Sequence, residues 1–212
     1  MKLKSNKRII LGICLFVSFL LWTVIVSVVD VRPIGPEASS VGLATVNSYL
    51  HDRIGVHMWL YELTDALSII PLALVFGFAI LGLLQWIKRK RITKVDRNLL
   101  ILGGYFVSVL ALFLLFEVVV INYRPVLIEG ALEATYPSST TLLVLCVIPA
   151  SCLELNSILK KRTMRTVCTV TTALFCAFMV TARLISGVHW VTDIIGGSLL
   201  SSALVFTYSV VG

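Results

Sequence analysis

The sequence predicts an all-α integral membrane protein, a bundle of six transmembrane helices, and three observations predict it. Of the 212 residues, 58% are hydrophobic and 14% charged, with a mean hydropathy of +0.98. Soluble domains are about half apolar and about a quarter charged. The apolar residues fall in long blocks, and most of the 18 basic residues gather in three clusters between them. At about 20 residues per span, the length leaves room for five or six helices and short connections, read as a single membrane domain over 1–212.

The first apolar run, 9–29, follows the basic opening MKLKSNKR. It is a full span in length and no small-residue cleavage site ends it, so it reads as an uncleaved first helix rather than a signal peptide. Residues 33–63 form the longest connection. PIGPEASS is loop-like, whereas VNSYLHDRIGVHMWLYEL mixes apolar and charged residues with Trp59 and Tyr61, the pattern of an interfacial helix. The remaining runs are 64–87, 98–121, a short fourth at 139–155, and a fifth and sixth at 166–185 and 191–211 that only Ser186-Gly187 separates. Cys14, Cys146, Cys152, Cys168 and Cys176 all lie inside apolar blocks without metal-ligand spacing, so they read as small packing residues.

The basic clusters orient the bundle. Lys2, Lys4, Lys7 and Arg8 open the chain. Lys88, Arg89, Lys90, Arg91, Lys94 and Arg97 follow the second span, and Lys160, Lys161, Arg162 and Arg165 the fourth. Six spans bring all three to one face, which the positive-inside rule makes cytoplasmic. The expectation is a multi-pass protein of the cell membrane with both termini inside. The net charge of +7 follows from this asymmetry and calls for no nucleic-acid partner. Arg32, Arg53, Arg124 and Arg183 remain for the outer half. Arg124 and Arg183 sit where spans meet the outer surface, so something negative is expected to meet them.

Three outer clusters could carry chemistry. In the segment joining the last two spans, His189 and Asp193 are four residues apart and share a face if the segment is helical. A carboxylate there can fix the imidazole tautomer and raise the basicity of its other nitrogen; a structural pair tying two helices together is the alternative. Tyr136-Pro137-Ser138-Ser139-Thr140-Thr141 opens the fourth span, where capping hydroxyls and free backbone N–H groups make either an ordinary cap or an anion site. Asn122-Tyr123-Arg124-Pro125 adds a second guanidinium to that of Arg183, and paired arginines suit phosphate oxygens. A nucleophile, its orienter, two arginines and a helix N-terminus suit phosphoryl transfer. His51 and His57 read as interfacial histidines. Three histidines and scattered carboxylates form no metal-ligand set, and no cofactor is expected.

Arg124-Pro125, Pro137-Ser138, and Arg183 with Gly187, His189 and Asp193 resemble the three-part signature of the type 2 phosphatidic acid phosphatase (PAP2) superfamily, KxxxxxxRP, PSGH and SRxxxxxHxxxD. The resemblance implies the six-helix fold of the membrane branch. It implies His189 as a nucleophile forming a phosphohistidine, Asp193 as its orienter, Arg124 and Arg183 on the phosphate oxygens, and Ser138, Ser139 and Thr140 as the rest of the cradle. The chain departs from the signature at three positions, with Glu117 for the lysine, Thr140 for the PSGH histidine and Ala182 for the serine. Thr140 can donate a hydrogen bond but cannot act as an acid near neutral pH.

The expected function is a metal-independent lipid phosphatase acting at the outer leaflet. Its expected substrate is a lipid phosphate or, by preference, a polyprenyl-type diphosphate, whose phosphate leaving group needs no acid. The alternative is a catalytically impaired relative that binds or moves phospholipid or regulates a partner. The oligomeric state is not readable from the sequence.

Overall fold

The computed structural model describes residues 2–211, with side chains from residue 6. Lys2 and Lys4 of the first basic cluster therefore lie outside the described side chains. The elements are α1 (Lys2–Val28), α2 (Ala44–Ile54), α3 (Met58–Leu67), α4 (Ile69–Arg89), α5 (Arg97–Val118), α6 (Ser139–Ile158), α7 (Arg162–Ile185) and α8 (Val191–Val211). Among the described residues, six helical stretches are long and apolar enough to cross a membrane, α3 and α4 counting together as one stretch. The protein is thus an all-α, multi-pass membrane protein.

The second span begins at Met58 and breaks at Ser68. Pro71 lies three residues past the break and has no N–H to carry a ladder across it. The interfacial segment expected before this span is the separate helix α2, ended by Gly55 at φ +72°.

The core sits around α6 and α8. α8 packs on α1 along one side and on α6 along the other, and α6 also meets α4, α5 and α7. Lipid supplies no hydrophobic drive between helices, so close packing of small residues must hold them together. Gly196 and Gly197 of α8 serve this purpose. A Cβ on Gly196 would lie 2.7 Å from the Tyr136 ring, and one on Gly197 would lie 3.2 Å from the Ser138 carbonyl. Ile10, Leu21 and Val24 of α1, like Phe76 and Ile80 of α4, stay exposed at the bundle surface, as lipid-facing residues do. Arg8 donates to the Ser209 carbonyl at 3.4 Å, which brings the start of α1 and the end of α8 to one end of the bundle.

At the other end, the α5–α6 connection folds back on itself. Tyr123 pairs with Ala134 and Ile128 with Ala131 as antiparallel bridges, around a turn with positive φ at Glu129 and Gly130. Arg124 N–H donates to the Glu133 carbonyl at 3.0 Å, and Thr135 N–H to the Asn122 carbonyl at 3.0 Å. This register places Asn122 and Arg124 beside Glu133 and Thr135. The hairpin's exit is fixed by Tyr136, whose hydroxyl meets Thr23 of α1 at 2.7 Å.

Candidate active site

The hairpin, the start of α6, the end of α7 and the start of α8 meet at one end of the bundle, and most of the residues singled out in the sequence meet there. Arg124, Arg183, His189, Asp193, Ser138 and Thr140 are all buried.

His189 lies in the turn before α8 rather than on the helix. The expected helical (i, i+4) contact with Asp193 is therefore not made directly: Nδ1 stands 4.0 Å from Oδ2. Thr135 fills the gap, its Oγ1 lying 2.6 Å from His189 Nδ1 and 2.9 Å from Asp193 Oδ2. The other imidazole nitrogen, Nε2, is 3.2 Å from Arg124 Nη1. A guanidinium only donates, so Nε2 accepts and carries no proton. Burial above all, then the charges of Arg124 and Arg183, hold this imidazole well below the usual histidine range. The ring is neutral at pH 7, with its Nε2 lone pair turned to Arg124.

Asp193, fully buried, accepts from the Trp190 N–H at 2.9 Å, and from Asn122 Nδ2 and Thr192 Oγ1 at 3.4 Å. Several donors on one carboxylate offset the cost of burying it.

The two arginines are held differently. Arg183 is 2% exposed and is gripped by α3, its Nη1 donating to Thr64 Oγ1 at 2.9 Å and to the Tyr61 carbonyl at 3.3 Å. Asp65 lies 3.9 Å from its Nη2. Its Nε is buried with no protein acceptor. Arg124 Nε pairs with Glu133 Oε2 at 2.9 Å. Both guanidiniums approach the Tyr61 ring, Arg183 at 4.5 Å and Arg124 at 5.8 Å. Two cations beside one neutral imidazole make a site for a multiply charged anion.

At the start of α6, Ser138 Oγ accepts from the Thr141 N–H, while the Ser138 N–H donates to the Asp193 carbonyl at 3.1 Å. Ser138 is thus a cap and a tie to α8, and the first-turn N–H groups of Ser139 and Thr140 have no intrahelical acceptor. Ser139 and Thr140 also line the upper end of a groove of about 980 Å³ between α4 and α5, whose walls include Phe76, Phe106, Phe113 and Val147. Glu117 borders a small cavity shared with Thr135 and Ser139.

The α7–α8 turn is clamped by α2 and the segment that follows it. The His57 N–H donates to the Ser186 carbonyl at 2.9 Å, and His51 Nε2 meets the Gly187 carbonyl at 3.1 Å, its ring 5.3 Å from that of Trp190. His51 is therefore engaged with the backbone of the loop that carries His189. His57 Nε2 meets the Ile54 carbonyl of its own segment.

The sequence model of the PAP2 superfamily matches residues 118–211. That segment, somewhat under half of the chain, is similar to the PAP2 superfamily. The matched segment contains Arg124, Ser138, Arg183, His189 and Asp193 and begins one residue after Glu117. A solved structure, that of the transmembrane PAP2-type phosphatidylglycerolphosphate phosphatase from Bacillus subtilis, is similar over 93% of each chain, at a TM-score of 0.66 and 19% identity. That likeness concerns the fold. No curated protein matches the chain by sequence. The contribution of α3 to this site, through Tyr61, Thr64 and Asp65, lies outside the matched segment and carries no motif. Thr135 and Glu133 likewise have no sequence signal beyond their nearness to Pro137.

Proposed function

We propose that the protein is a metal-independent lipid phosphatase that transfers the phosphoryl group to His189. The observation that carries this reading is the buried, unprotonated Nε2 of His189 beside two arginine side chains. The likeness of residues 118–211 to the PAP2 superfamily supports a phosphatase, and the apolar groove that ends at Ser139 and Thr140 suits the hydrocarbon chain of a membrane lipid.

In this reading the incoming phosphate draws Arg124 off Nε2, and the two guanidiniums take its equatorial oxygens with the first-turn N–H groups of α6. Nε2 donates its lone pair to phosphorus while the bond to the leaving oxygen breaks, and that oxygen departs with the electron pair. The positive charge that develops on the ring sits within the hydrogen-bonded chain to Asp193. Water then attacks phosphorus, the N–P bond breaks with its pair returning to Nε2, and inorganic phosphate leaves. Thr140 cannot protonate the leaving oxygen. A lipid alkoxide must therefore draw its proton from solvent, whereas a phosphate leaving group needs none. The preferred substrate is accordingly a polyprenyl-type diphosphate over phosphatidic acid. With the basic clusters cytoplasmic, both termini lie inside and the site opens on the outer leaflet.

The second reading is a relative that binds phospholipid without turning it over, favoured by Glu117 and Thr140 standing where the family signature has lysine and histidine. Phosphate release by purified protein from lipid mono- and diphosphates, with and without chelator, combined with acid-quench trapping of radiolabelled phosphate on His189, separates the two. Turnover of the diphosphate with label on His189 is expected. Binding without release or label on any substrate would leave the non-catalytic reading standing.

A further inference from the structure

We propose that Thr135 is a positioning residue that joins His189 to Asp193, so that the nucleophile is oriented through a hydroxyl bridge rather than by direct contact with the carboxylate. This deepens the phosphatase reading and rests on it for its kinetic consequence, though not for its geometry.

The direction of each hydrogen bond follows from what the groups can do. Arg124 Nη1 can only donate, so His189 Nε2 accepts and the single proton of the neutral ring sits on Nδ1. Nδ1–H then donates to Thr135 Oγ1 at 2.6 Å, and the one hydroxyl proton of Thr135 goes to Asp193 Oδ2 at 2.9 Å. The reverse assignment would set an Nε2–H against the guanidinium N–H and leave Asp193 Oδ2 facing a hydroxyl lone pair. Only one tautomer satisfies every group. The bypass distance of 4.0 Å between Nδ1 and Oδ2 is too long for a hydrogen bond.

The bridge is rigid. Thr135 is 3% exposed, its backbone N–H is fixed to Asn122 in the hairpin, and its β-branched side chain has few χ1 choices. Asn122 holds the other carboxylate oxygen, so one turn of hairpin register sets both the carboxylate and the hydroxyl. When the ring becomes cationic on attack, Nδ1–H stays in place and the polarised hydroxyl conveys the charge of Asp193 to it. No proton need leave the chain.

The test uses Thr135→Val, which keeps the shape and removes the hydroxyl, and Thr135→Ser, which keeps the hydroxyl and removes a methyl. Both are read by ¹⁵N-histidine NMR of the full chain in detergent, with His51→Gln and His57→Gln assigning the other two rings. Kinetics on a polyprenyl diphosphate give the second readout. All three proteins should keep the Nδ1–H tautomer that Arg124 imposes. The Nδ1–H resonance should be downfield and slow to exchange in wild type and Thr135→Ser, and should move upfield in Thr135→Val, which has lost its acceptor. Thr135→Val should also lose about 100-fold in kcat, the scale of a misplaced reacting group, with KM changed little, while Thr135→Ser stays near wild type. An unchanged Nδ1–H resonance in Thr135→Val, or a Thr135→Ser variant as inactive as Thr135→Val, would overturn the proposal. A wild type with the stated Nδ1–H resonance but no turnover would instead defeat the phosphatase reading and leave the bridge intact.

Discussion

The guanidinium of Arg124 donates to Nε2 of His189 at 3.2 Å, covering the lone pair that the proposed reaction uses. Glu133 holds the same guanidinium from its other edge at 2.9 Å. An arriving phosphate must therefore compete with Glu133 for Arg124. Glu133→Gln should lower KM by about two- to fivefold, the scale of a partly exposed ion pair, with kcat little changed. Arg124→Ala should lose about 100-fold or more in kcat/KM, as when a preorganised donor is removed from a developing charge. Steady-state kinetics on one lipid diphosphate check both, and a raised KM in Glu133→Gln would show that the carboxylate positions Arg124 rather than restraining it.

The neutral state of His189 gives a pH signature. Its environment disfavours the imidazolium, so the folded protein takes up the ring proton only well below the pH at which an unfolded chain would. Arg124, Arg183 and Asp193 are the charged groups that face it. The unfolded state thus binds more protons below about pH 6.5, and this group contributes stability above that value that is lost as pH falls. The His189 resonances should show no protonation between pH 7 and pH 6, and an ordinary imidazole titration there would contradict the buried neutral ring.

How much of this was legible beforehand depends on whether a residue is placed by chain periodicity or by a fold-back. The α6 and α8 starts at Ser139 and Val191 coincide with the run boundaries, because Pro137-Ser138 and the Ser186–Trp190 break interrupt the apolar pattern. The helical stretch that holds the second span extends back to Met58, beyond the apolar run at Thr64, because the sequence from Met58 to Leu63 mixes polar with apolar residues and the contacts of Tyr61 and Thr64 with Arg183 are not written in hydropathy. Thr135 was invisible for a related reason. Its role comes from the hairpin register that sets it against Asn122, and two-residue bridges leave no alternating pattern to read. The helical pairing expected of His189 and Asp193 failed because Gly187 turns the chain, at φ +69°, before α8 begins.

That turn can be tested by itself. A Cβ on Gly187 would collide with the carbonyl of Gly55, and φ there lies in the left-handed region that side chains resist. Gly187→Ala should destabilise the protein by about 1–3 kcal/mol and displace the loop that carries His189. Thermal melting in detergent should show a lower midpoint, and activity should fall further than the melt explains. A variant with wild-type melting and kinetics would show that the α2–α3 segment yields freely.

Thr140 supplies a gain-of-function test. It is buried at the first turn of α6 and faces the upper end of the groove, where an imidazole could protonate a leaving alkoxide. Thr140→His should raise kcat on a lipid phosphomonoester by at least about tenfold, the low end of general acid catalysis falling somewhat above this, and change diphosphate turnover little. The ratio of the two activities cancels any loss of folded protein. A ratio that does not move would place the obstacle at Glu117, which borders the same cradle through the cavity it shares with Thr135 and Ser139.

The groove between α4 and α5 makes a prediction about chain length. Gly103 lines it, and a Cβ there would meet nothing within 4 Å, so a large side chain can enter the groove without disturbing the bundle. Gly103→Trp should reduce kcat/KM on long-chain substrates by about tenfold or more through steric exclusion. A short-chain, water-soluble phosphate ester needs only the anion site at Arg124 and Arg183 and should be turned over as by wild type. The comparison separates tail from headgroup because Gly103 lies on α5, whereas the arginines are carried by the hairpin and α7. Equal losses on both substrates would mean that the substitution reaches the site, and no loss on either would mean that the lipid chain lies elsewhere.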